Sequence, residues 1–105
     1  MKHLNFCMGR NHNMKWTIEL DGNKLCQDKE TAHAYLSEVF SFADYYGKNL
    51  DALHDCLSEI HHETEICLDQ KTLIMMAEGS YSYRILTVMF DTALENPYLK
   101  FRLKR

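Results

Sequence analysis

Apolar and polar positions first alternate at residues 15–20, with Trp16, Ile18 and Leu20 on one side and Lys15, Thr17 and Glu19 on the other. A period of two marks a strand with one buried face. Asp21-Gly22-Asn23 then predicts a turn, because glycine tolerates positive φ. The period changes after Asp28, a suitable helix N-cap. Ala32, Tyr35, Leu36, Val39 and Phe40 recur at i, i+3, i+4, i+7 and i+8, the spacing of an amphipathic helix. Residues 42–48 keep neither period and predict a loop containing Tyr45-Tyr46-Gly47. Asn49 can cap a second helix over 50–60, with Leu50, Leu53, Leu57 and Ile60 as its inward stripe.

The second half repeats the scheme. Residues 64–69 predict a strand, residues 71–78 a short helix ended by Gly79 as a C′ residue, and residues 81–95 a longer helix. Ile85, Leu86, Met89, Phe90 and Ala93 form the longer helix's apolar stripe, and Asn96-Pro97 stops it. Leu99, Phe101 and Leu103 then alternate with Lys100, Arg102 and Lys104 in a last strand. Helical crossovers between successive strands imply parallel pairing with right-handed connections. The fold class is therefore α/β: a three-stranded parallel sheet flanked by about four helices. Residues 1–13 show only a weak alternation of Leu4, Phe6 and Met8 and are expected to be an extension ahead of a domain over 14–105.

Composition narrows the function. The 105 residues suit one compact domain, with 46% hydrophobic and 26% charged residues. Twelve basic against fifteen acidic residues give a formal charge of −3, which disfavours direct nucleic-acid binding. No apolar run has membrane-spanning length and no secretory h-region is present, so a cytoplasmic protein is expected, with Cys7, Cys26, Cys56 and Cys67 as thiols.

Charge is unevenly placed. Residues 44–65 hold six acids (Asp44, Asp51, Asp55, Glu59, Glu63, Glu65) and one base (Lys48), a net −5, leaving +2 for the rest of the chain. At about 100° per residue, Asp51 and Asp55 share a flank of the second helix, with His54 and Ser58 between that flank and the core stripe. The arrangement fits either a solvated helix face or an anionic surface for a basic partner. Tyr45 and Tyr46, beside these acids, fit either interface anchors or rings packed under the loop.

The run from Tyr45 to Leu57, YYGKNLDALHDCL, closely resembles the signature of the barstar family of intracellular ribonuclease inhibitors. A weaker likeness extends over about residues 14–104. The resemblance implies a three-stranded parallel sheet with helices and non-covalent inhibition of a basic, extracellular-type ribonuclease inside the producing cell. It also implies that Tyr45, Gly47, Asn49, Leu50, Asp51 and Asp55 match the inhibitory face, with Asp55 as the most deeply inserted acid and Ser58 at a further contact position. Tyr46 belongs to the same loop. Three positions depart from the family pattern. His54 replaces a contacting tryptophan, Lys48 replaces a glutamate, and Thr92 stands where the last helix carries an acidic contact, with Asp91 turned by about 100°.

Other chemistry is poorly served. Asp51 and Asp55 lie one helical turn apart with no nucleophile or opposing wall, so catalysis is not expected. His61-His62 with Glu63, Glu65 and Cys67 shows no closed ligand spacing, so neither a metal nor a cofactor is expected. The chain is expected to be a monomer when unbound. The competing reading keeps the same face but gives it to an interaction or immunity module that binds a different basic toxin or partner.

Overall fold

The computed structural model describes residues 15–104; the expected extension and the boundary at residue 14 lie outside them. Strand β1 is Trp16–Glu19, and helices α1 (Gly22–Gln27), α2 (Lys29–Phe40) and α3 (Leu50–Ser58) follow. Strand β2 is Thr64–Asp69, followed by α4 (Gln70–Glu78), α5 (Ser80–Glu95) and β3 (Leu99–Lys104). The three strands are all parallel in the order β1-β2-β3, with Trp16 opposite Thr64 and Thr64 opposite Leu99. The sheet and its helical crossovers match the α/β expectation.

There are five helices among the described residues, one more than the pattern predicts. The expected turn at Asp21-Gly22-Asn23 opens α1 instead. Asp21 Oδ1 accepts the Asn23 N–H at 3.0 Å, as an N-cap does, and buried Leu25 anchors the short helix. Gly22 does not use positive φ. A Cβ there would lie 3.0 Å from Thr72 Oγ1, so glycine lets α1 approach α4 closely. Gly79 likewise has φ −87° and caps α4 without left-handed geometry; a Cβ on it would collide with Ser82 Oγ, which donates to the Met76 carbonyl.

Most of the apolar positions converge as their spacing predicts, whereas Phe90 of α5 and Leu103 of β3 are exposed. Ile18, Leu25, Leu36, Leu53, Leu57, Ile66, Met76, Ile85 and Met89 share one core. Burying such a side chain contributes about 1.5–3 kcal/mol, so α3 is fixed to the body through Leu53 and Leu57. Lys15, Arg102 and Lys104 are paired within the strand region. Glu65 pairs with Lys15 at 3.4 Å and with Arg102 at 3.2 Å, and Glu19 pairs with Lys104 at 3.2 Å.

Candidate functional site

Helix α3 starts where it does because Asn49 is extended (φ −141°, ψ 173°) and its Oδ1 accepts the Ala52 N–H at 2.7 Å. Its Nδ2 reaches back to the Gly47 carbonyl at 3.4 Å. A Cβ on Gly47 would sit 3.3 Å from that of Ala52, so glycine lets the loop lie against the first turn. Between them, Lys48 takes a left-handed conformation (φ 57°) that reverses the chain into the helix. The loop is therefore a shaped connection whose form follows from Gly47, Lys48 and Asn49.

The two loop tyrosines part ways. Tyr45 is 87% exposed, while Tyr46 is 6% exposed and faces inward. The Tyr46 hydroxyl meets His33 Nδ1 at 2.6 Å, and His33 Nε2 meets the Tyr81 hydroxyl at 2.7 Å. His33 is fully buried on α2, and Tyr81 is in the first turn of α5. A buried imidazole with both nitrogens hydrogen-bonded thus ties the loop to two helices, which is how buried polar groups avoid a desolvation penalty. Burial, then the Lys29 charge, holds the His33 imidazole below its ordinary proton affinity. Burial raises the Tyr46 hydroxyl far above its ordinary range, so it stays protonated.

The far end of α3 is fixed by Asn96. Its Nδ2 donates to the Leu57 carbonyl at 2.9 Å and to the Ile60 carbonyl at 3.0 Å, while its Oδ1 accepts the Tyr98 N–H at 3.0 Å. One buried side chain thus satisfies terminal carbonyls of α3 and joins them to the turn between α5 and β3.

Between these anchors α3 shows an acid-bearing outer side. Gly47, Asn49, Asp51, Asp55 and Ser58 are exposed, His54 and Leu50 are partly exposed, and Leu53 and Leu57 are buried. Among the described residues no lysine or arginine pairs with Asp51 or Asp55. Asp55, with 77% of its side chain exposed, has His54 Nδ1 3.7 Å from its Oδ1 as its one ion-pair neighbour among the described residues. Cys56, beside it, has its thiol pushed up by burial, then by Glu59 and Asp55, which keeps it from acting as a thiolate.

Two expected contact residues are placed differently. Tyr46 packs inward, because its ring and hydroxyl both find partners under the loop. Thr92 is fully buried, and its hydroxyl donates to the Val88 carbonyl of its own helix at 2.7 Å. The side chain of α5 that does reach the α3 face is Glu95, whose Oε1 lies 3.4 Å from His54 Nε2. Sequence spacing alone assigns no such role to Glu95, His33 or Tyr81, and gives Asn96 only that of a helix stop. Glu95 follows Asp91 by one helical turn, a usable signal once α5 is known to lie beside α3; α5 taken alone does not supply that knowledge.

Among the described residues no group of three or more histidines, cysteines or acids is poised to hold a metal ion, and no helix is long and apolar enough to cross a membrane. The architecture is barstar-like: a small parallel sheet carrying a shaped loop and an exposed, capped helix. Residues 16–103 match the Barstar family, described as barnase inhibitor, and the chain belongs to that family. A 41-residue stretch is 46% identical to a Bacillus subtilis (strain 168) protein named "Putative ribonuclease inhibitor YrdF". The stretch spans 39% of this chain and 44% of that protein, less than half the length of either.

Proposed function

We propose that this protein inhibits a basic, extracellular-type ribonuclease in the cytoplasm of the producing cell, by laying the face from Tyr45 to Ser58 across the nuclease active site. The observation that carries this is the pair Asp51 and Asp55: exposed, one turn apart on a helix anchored at both ends, and unpaired with any lysine or arginine among the described residues. Ribonucleases hold phosphates with clustered cationic side chains. Carboxylates set where phosphates would lie engage those cations and shut out RNA. Membership of a family described as barnase inhibitor supports the same reading.

The energetics set the requirement. One charge pair at about 4 Å is worth about 4 kcal/mol at an effective dielectric near 20, before desolvation. Desolvation can cancel any single pair, so tight inhibition needs several pairs held in a fixed geometry. Asp55 serves as the central anion and Asp51 supports it. Tyr45, Leu50 and His54 add contact area, Gly47 and Asn49 shape the approach, and Ser58 closes the far end. The free protein acts as a monomer, and the mechanism involves no chemistry on RNA and no cofactor.

The test is a titration of the purified protein against a panel of secreted ribonucleases that includes barnase, reading RNA cleavage and complex formation. Stoichiometric inhibition of at least one basic member, lost in the Asp51→Ala/Asp55→Ala double variant, is expected. Capture of a basic protein without ribonuclease activity, with no member of the panel inhibited, would instead assign the same face to a different toxin. Lys48 and His54, which soften the acidity of the face, make that outcome worth separating.

A further inference from the structure

His54 joins carboxylates from two helices. Its Nε2 lies 3.4 Å from Glu95 Oε1 at the end of α5, and its Nδ1 lies 3.7 Å from Asp55 Oδ1 on α3. All three side chains are substantially exposed, at 42% for His54, 77% for Asp55 and 69% for Glu95. Among the described residues the charged groups paired with the ring are acids: Asp55 on its own helix and Glu95 from α5. Asp51 and Asp91, one turn before His54 and Glu95 on their helices, add to the negative field. No lysine or arginine among the described residues pairs with any of these acids.

We propose that Glu95 is a contact carboxylate of the partner-binding face, and that His54 sets the strength of that face by changing from one carboxylate partner to two when it gains a proton. This rests on the reading of the α3 face as the surface that binds a basic ribonuclease. A neutral imidazole has one N–H and can satisfy one of the two carboxylates. An imidazolium donates to both, removes one unit of negative charge and holds Asp55 and Glu95 toward itself. A cationic active site competes with that proton, so docking favours neutral His54. Affinity then falls as the ring gains its proton. Glu95 carries the face off α3 and onto α5, so the cationic surface that fits it must bridge both helices.

Affinity for barnase and for the other basic members of the panel, measured at pH 8 and pH 6 with wild type, His54→Gln and Glu95→Gln, tests this. Both substituted side chains are exposed, and melting curves confirm that each variant is folded. Glu95→Gln is expected to weaken binding at pH 8 by at least about fivefold, the upper end of what an isolated surface pair supplies. Lowering the pH to 6 is expected to weaken wild type more than His54→Gln, by up to about tenfold for each pH unit by which docking displaces the imidazole titration. Titration of the nuclease itself is common to both proteins and cancels in that ratio. Wild-type affinity in Glu95→Gln, or parallel pH profiles for wild type and His54→Gln, overturns the proposal while leaving the inhibitor reading in place. Failure of the wild type to bind any ribonuclease of the panel overturns both.

Discussion

His33 Nδ1 and the Tyr46 hydroxyl meet at 2.6 Å inside the protein, and that contact decides which of two adjacent tyrosines faces outward. With Tyr46 drawn inward, the neighbouring Tyr45 is left 87% exposed beside the acidic helix. Removing the Tyr46 hydroxyl leaves a buried ring nitrogen without its partner, which costs about 1–3 kcal/mol. Tyr46→Phe is therefore expected to lower stability by that amount in urea unfolding. Tyr45→Ala, at an exposed position, is expected to stay within about 0.5 kcal/mol of wild type while weakening partner binding.

The same histidine makes stability depend on pH. Burial, followed by the Lys29 charge, holds His33 below its ordinary 6.5 in the folded state. Burial and His61 act on His62 in the same direction. Between its folded and unfolded values such a group binds more protons when unfolded, so stability rises with pH. Its contribution is complete above about 6.5 and is lost as pH falls below that. Asp28 and Asp69, lowered chiefly by accepting backbone N–H bonds from Thr31 and Thr72, stabilise above their ordinary 3.8 and lose this in a separate, more acidic window. Urea unfolding from pH 8 to pH 3 is expected to show two successive declines. A rise in stability between pH 7 and pH 5 contradicts the assignment.

Lys48 is the one cation in the acidic stretch and its backbone is left-handed. Lys48→Glu changes the face by two charge units without altering what the backbone requires. Faster association with a basic ribonuclease is expected at low salt, with the difference shrinking toward 1 M salt, where the Debye length is about 3 Å. Stopped-flow mixing at two ionic strengths measures it.

Thr92 offers the opposite lesson. It is fully buried, so Thr92→Glu places a carboxylate in the interior rather than on the surface. An unpaired buried charge costs several kcal/mol, so a marked loss of melting temperature is expected, with no gain in affinity for a basic partner. A variant that melts as wild type does and binds more tightly would place position 92 on the face after all.

Most of the fold was legible because local signals agreed with the tertiary structure. Asp28 and Asn49 cap the helices they were expected to cap, and the two periods mark the strands and the long helices. Helix α1 was missed because Asp-Gly-Asn suits both a turn and a helix start, and only the packing of Leu25 and the close approach to Thr72 favour the helix. At the site, the run from Tyr45 to Leu57 pointed to the loop and to α3. The partners that hold them could not be read, because His33, Tyr81, Glu95 and Asn96 come from other segments and acquire their roles only when the helices pack. Spacing within one helix orders side chains around its axis, and it does not say which neighbouring helix covers them.

The proposed contact of Asp55 with a cation of the nuclease active site is tested most directly by the dissociation rate of the inhibitor–ribonuclease complex for wild type and Asp55→Ala. Asp55→Ala is expected to unfold in urea as wild type does and to bind at least about 2 kcal/mol more weakly, as a buried hot spot would, with most of the loss in faster dissociation. Equal dissociation rates for the two proteins, on a ribonuclease the wild type demonstrably inhibits, would contradict it.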